Sequence, residues 1–174
     1  MTKVLAWHFV RDDGTRVQDG VRETIGKTYR AVGPLRMCEN GMHASERIID
    51  ALTYASGARL RRVECWGAIE RVTDKLVCRY RKPLWEIDAT MILHRFALAE
   101  AARELRKAKV TDKRCWAALE VKKRWLAHKA TDDELAAAWA AAGAAAWAAA
   151  GAAAGAAAGA AANKRLTAAV EREH

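Results

Sequence analysis

An α+β head followed by a helical region is the fold class predicted by this 174-residue chain, and three observations predict it. Short β-branched and aromatic runs broken by Gly-containing turns fill residues 1–88, a helical period takes over at Asp88, and an Ala-rich tract with a four-residue repeat ends the chain. The hydrophobic fraction of 52% is inflated by that tract, because Ala buries little apolar area. A self-sufficient core therefore has to come from roughly the first 128 residues, which suits one modest domain with an appendage and excludes two large ones.

Val4 to Val10 reads as a strand entering a turn at Asp12-Asp13-Gly14. Thr24 to Val32 and Leu35 to Cys38 are further strand candidates, separated by Gly33-Pro34 and closed by Glu39-Asn40-Gly41. Ser45 is placed to cap a helix whose apolar positions Ile48, Ile49, Leu52 and Ala55 recur at helical spacing up to Gly57. Leu60 to Trp66, Ala68 to Val72, Leu76 to Tyr80 and Leu84 to Ile87 complete a small strand-rich domain over 1–88.

Residues 89–130 predict two basic helices. Met91, Leu98, Ala102 and Leu105 share one face of the first, with Asp88 or Thr90 as cap. Thr111 or Asp112 opens the second, whose buried side carries Trp116, Leu119 and Leu126. Thr131-Asp132-Asp133-Glu134 is a capping box that starts a long helix in the tail, 131–174. Within the tail, Trp139, Gly143, Trp147, Gly151, Gly155 and Gly159 fall every four residues. At about 100° per residue this stripe winds slowly around the helix, and Gly costs about 0.5–1 kcal/mol relative to Ala there, which points to a close helix–helix contact, including a homodimer. The uncharged run 135–162 is long enough to span a bilayer, but Ala and Gly supply little insertion energy and no aromatic belts flank it, so a membrane anchor is the lesser alternative. The opening residues lack a charged-then-apolar leader, and cytoplasmic residence in a bacterial host is the expectation.

Charge is concentrated rather than spread. The net charge is +9, and residues 103–129 hold ten basic side chains against Glu104, Asp112 and Glu120, a local net of +7. Arg103, Arg106, Lys107, Lys109, Lys113, Arg114, Lys122, Lys123 and Arg124 are therefore the candidate partner-binding residues, toward an acidic protein or nucleic acid. Trp116 and Trp125 lie nine residues apart, on opposite sides of the helix, so Trp125 is expected to serve a partner surface.

The run Gly33-Pro34-Leu35-Arg36-Met37-Cys38-Glu39-Asn40-Gly41-Met42-His43-Ala44-Ser45, with Ala6-Trp7-His8-Phe9 before it and Asp74-Lys75-Leu76-Val77-Cys78 after it, resembles an uncharacterised domain family of phage and bacterial genomes. A C-E-x-G-L-H-A-S core is typical of that family, with Met42 in place of the Leu here, and the likeness covers roughly residues 4–90. It implies no activity. It implies an Ala- and Trp-rich helical tail, which in this chain lacks the usual interrupting charges.

His8 and His43 are the most suggestive polar residues of the head. With Glu86 or Glu64 they would form a set distantly similar to ADP-ribosyltransferases, an alternative in which His8, His43 and Glu86 are catalytic and NAD is the substrate. Cys38, Cys65, Cys78 and Cys115 form no CxxC pair, and Cys38 with His43 supplies only two zinc ligands, so no metal site is expected. No Gly-rich phosphate loop, nucleophile elbow or HExxH motif is present, and no cofactor is implied. The expected function is a non-enzymatic phage or mobile-element accessory protein that docks an acidic partner, in one form as a host-directed inhibitor.

Overall fold

The computed structural model describes residues 2–151 and 156–174, and their side chains outside 143–158. Two units account for it, one formed by residues up to Thr90 together with Val170–His174, the other by Met91–Ala169.

The first unit is α+β. Its strands are β1 (Val4–Val10), β2 (Tyr29–Arg30), β3 (Met42–Ala44), β4 (Arg59–Arg71) and β5 (Leu76–Asp88), with helix α1 (Ile48–Thr53) between β3 and β4. All pairings are antiparallel in the order β1-β4-β5-β2, and β3 shares with β2 the same edge of β5. One edge accepts two short strands because β5 is 13 residues long: Tyr29–Arg30 pair with Tyr80–Arg81, and Met42–Ala44 pair with Leu76–Cys78.

Four expected short strands are thus two long ones, and the reason lies in two bulges. Gly67 has φ +83°, and a Cβ there would stand 2.8 Å from the Tyr80 ring and 2.9 Å from Arg79 Cβ, so only Gly lets β4 bulge and continue. Across the hairpin, Val63 pairs with Pro83 and Arg62 with Trp85, leaving Leu84 as the extra residue beside a proline that has no N–H to give the ladder.

Two other expected strands are shorter or absent. Residues 24–28 turn instead: Lys27 N donates to Thr24 O at 3.2 Å, Gly26 takes φ +82°, and Gly26 N reaches Pro83 O at 2.8 Å. Leu35 to Cys38 is part of a tight loop in which Glu39 N and Asn40 N both donate to Arg36 O. Helix α1 is also shorter than its apolar spacing suggests, and Ser45 does not cap it. Arg47 occupies the cap position without a side-chain bond to the helix N-terminal amides, while Ser45 is buried and exchanges both backbone bonds with Trp7 (2.7 and 2.9 Å).

The core of this unit is Ala6, Ala31, Met42, Ala44, Val63, Cys65, Leu76 and Cys78. Cys65 and Cys78 lie together inside it, Cys78 Sγ donating to Met42 O and Tyr80 O at 3.2 Å, and the neighbouring Cys78 together with burial pushes the Cys65 thiol far above its ordinary range.

The second unit is helical: α2 (Thr90–Lys107), α3 (Lys113–Leu126), α4 (Asp132–Gly151) and α5 (Ala156–Glu173), of which the residues from Val170 on belong to the first unit. Leu105, Cys115 and Leu119 form its buried cluster, with Leu98, Ala101, Ala102, Val110 and Trp116 against it, close to the apolar faces the sequence predicts. Asp112 caps α3 by accepting from Arg114 N at 2.9 Å. The capping box is complete: Glu134 N donates to Thr131 Oγ1 at 3.1 Å, and Thr131 N donates to Glu134 Oε2 at 2.7 Å. No described helix is long and apolar enough to cross a membrane.

Candidate functional site

The loop from Gly33 to Ser45 is held by its own side chains. Asn40 donates its amide to Val32 O (2.8 Å) and Pro34 O (2.7 Å), and Cys38 sits in the left-handed region at φ +68°. His43, on β3, accepts from Cys38 N at Nε2 (2.9 Å). Gly41 has φ +136°, and a Cβ there would fall 2.1 Å from Val77 Cγ2, so a side chain would push the loop off β5. The run that carries the family resemblance is a local knot whose product is the placement of Cys38 and His43.

Cys38 N–H occupies Nε2 of the His43 ring, and the Gln18 side-chain amide lies 2.6 Å from Nδ1. Burial first, and then the charges of Arg81 and Lys75, hold His43 below the ordinary histidine range. His8 is shifted further in the same direction, mainly by burial and then by Arg81, Arg61 and Arg16. Its Nε2 is buried and makes no hydrogen bond to the described residues. Both rings are neutral at physiological pH.

His8 and His43 line one cavity of about 300 Å³. Trp7, Phe9, Ala44 and Ala51 give it an apolar wall, Val17 and Gln18 close one side, and Cys38, Tyr54 and Lys75 complete it. Cys38 is exposed, in contrast to Cys65, Cys78 and Cys115, and its thiol lies close enough to the Lys75 ammonium to raise the Lys75 pKa. Tyr54 hydroxyl donates to Asp74. Among the described residues, no three His, Cys, Asp or Glu side chains gather as a metal site.

Glu86 is not in that lining. It receives Arg61 Nε at 2.6 Å and also pairs with Arg59, and these two cations hold its carboxyl below the usual range against the opposing effect of burial. Glu64 pairs with Lys3 at 2.9 Å.

Sequence reasoning did not find the charged network behind the cavity. Glu23, fully buried, accepts from Arg81 (2.8 Å), Arg61 (3.1 Å) and Arg16 (3.2 Å). Arg16 also pairs with Asp19, and Arg81 donates to His43 O. Glu23 thereby pins the 11–28 segment, which carries Val17 and Gln18, onto the sheet. A signal existed: Arg61 alternates with Val63 and Cys65 on the inward face of β4, and a charge at an inward strand position demands a buried partner.

In the helical unit the nine candidate cations fall into three groups. Arg103, Lys107, Arg114, Lys123 and Arg124 each pair with a carboxylate of the same unit, namely Glu100, Glu104, Asp112, Glu120 and Glu134. Lys122 is buried, with its ammonium 3.7 Å from the Trp125 ring centroid. Trp125 also donates to Asp132 Oδ1 at 2.6 Å and meets His94 edge-on, so much of its surface is already used within the unit. Arg106 lies over the Trp116 ring, while Lys109 and Lys113 are exposed, and these three meet no carboxylate among the described residues. They cluster where α2 ends and α3 begins.

Of the tail stripe, Trp139 is exposed on α4, and Gly143 and Gly151 belong to the same helix. The Trp147 side chain and Gly155 lie outside the described residues. A Cβ built at Gly159 meets no described atom within 4 Å.

A family model described as a domain of unknown function, DUF7666, matches residues 4–95, more than half of the chain, and the chain belongs to that family. No curated protein and no solved structure matches it.

Proposed function

For this member of the DUF7666 family we propose a binding role, in which the α2–α3 junction docks an acidic partner, protein or nucleic acid. The observation that carries the reading is the group Arg106, Lys109 and Lys113, cations without carboxylate partners among the described residues, on the stretch 106–114 that joins α2 to α3 and also holds Lys107 and Arg114. Lys113 stands in the first turn of α3, where the helix dipole disfavours a cation, and Lys109 occupies a left-handed position (φ +51°) that Gly would fill with less strain. Two cations held against local preference support a role outside the fold. The reading includes a second copy of the chain contacting the Trp/Gly stripe, a cytoplasmic site of action, and the phage or mobile-element setting that the Cys38 to Ser45 resemblance implies.

Lys109→Gly separates function from folding. It is expected to retain or raise thermal stability while weakening binding to duplex DNA or an acidic protein, and each cation removed should flatten the slope of log affinity against log salt by about one. Binding that ignores both salt and the Arg106, Lys109 and Lys113 substitutions would overturn the reading. The ADP-ribosyltransferase-like alternative has less support: Glu86 is engaged by Arg59 and Arg61 away from the cavity lining, and about 300 Å³ is small for a dinucleotide.

A further inference from the structure

We propose that the His8/His43 cavity of the first unit binds a small hydroxylated aromatic carboxylate, with the ring against the apolar part of the lining, the carboxylate at Lys75 and the hydroxyl at His8 Nε2. The size comes first: about 300 Å³ with a largely apolar wall admits a compact one- or two-ring molecule. The sign of its charge follows from the surroundings. Lys75 lines the cavity and no carboxylate is part of the lining, while Arg81, Arg61 and Arg16 behind it are offset by Glu23, Asp19 and Glu86, so Lys75 makes the cavity favour an anion over a cation.

The magnitude of the charge is limited by the donors available. A dianionic phosphate needs several converging N–H groups or a Gly-rich turn. Here the Cys38 amide is already given to His43, both His43 nitrogens are engaged, and Tyr54 hydroxyl is committed to Asp74. One ammonium, that of Lys75, remains to neutralise one negative charge.

The last feature is His8. Its Nε2 is buried without a partner, a costly arrangement unless something polar completes it. A neutral imidazole nitrogen suits a hydroxyl, which can donate or accept as the tautomer requires. The Glu23 anchor makes the pocket a preformed one, because it fixes the segment that brings Val17 and Gln18 over one side.

Cys38 supplies the readout. It lines the cavity and is the exposed thiol of the four, so its alkylation by iodoacetamide reports occupancy on the intact, unmodified chain. 4-Hydroxybenzoate is expected to slow that labelling at about tenfold lower concentration than either benzoate, which lacks the hydroxyl, or 4-hydroxybenzamide, which lacks the charge. Lys75→Met should erase the advantage of the carboxylate and His8→Phe the advantage of the hydroxyl. Equal protection by all three compounds, or labelling unchanged by any of them in the wild-type chain, would overturn the proposal whatever the variants do.

Discussion

The two units manage charge in opposite ways. In the strand-rich unit Arg16, Arg61 and Arg81 are buried and converge on a single carboxylate, whereas in the helical unit the cations are mostly exposed, and Arg103, Lys107 and Lys123 pair with carboxylates a turn away. An exposed pair is weakened by water and salt, so its loss changes little. A buried cation has no such recourse, and removing its partner leaves the full desolvation penalty in place. The same residue types therefore act as structural pins in one unit and as a titratable surface in the other.

The sharpest way to break this contrast is Glu23→Gln. Arg61 and Arg16 would keep Glu86 and Asp19, but the fully buried Arg81 would lose its carboxylate, and a loss of about 3–5 kcal/mol is expected, a large share of the stability of a small domain. Hydrogen exchange should show β1, β4 and β5 amides losing protection, while Lys123→Ala, which removes an exposed partner of Glu120, leaves protection unchanged. Comparable effects from both substitutions would erase the distinction.

Acid should act next. His8 and His43 have lower pKa values in the fold than in the unfolded chain, so the unfolded state takes up protons first as pH falls. Their stabilising contribution is complete above the unfolded histidine value near 6.5 and declines as pH drops from there toward the folded values. In the helical unit His94 shifts the same way, but Glu100 and Glu134 have depressed pKa values and give way only in the carboxylate range. Urea midpoints across mildly acidic pH should therefore fall in the wild type, and substituting His8 and His43 together with Gln should flatten that decline.

The smallest effect concerns the capping box. Thr131→Ala removes the hydroxyl that receives Glu134 N and should cost roughly 1 kcal/mol, read as a lower thermal midpoint of the helical signal. Thr131→Ser should restore most of it.

How legible these features are in the sequence depends on their range. The Thr131 box, the Asp112 cap and the Val4–Val10 strand are local patterns, and each stands where its residues place it. The apolar faces of α2 and α3 were equally readable, because helical period alone selects Leu98, Ala102, Leu105 and Leu119. Ser45 shows the limit: its local cap signal loses to a backbone exchange with Trp7, thirty-eight positions away. The candidate site divides similarly. His8 and His43 were visible as unusual polar residues, but their neutral state arises from burial and then from Arg81, and their shared cavity from the segment that carries Gln18, contacts that no spacing rule encodes.

The sequence by itself therefore determined the α+β-then-helical order, the caps, the amphipathic faces and the cluster of cations, because each depends on interactions within a few residues. Tertiary structure alone decided that four strand segments merge into one bulged hairpin, that Glu23 gathers three arginines, and that Cys38, Lys75 and two histidines border one cavity. Those outcomes join groups up to tens of residues apart, and only burial, which raises the energetic stake of every unpaired charge, selects among the pairings the chain could make.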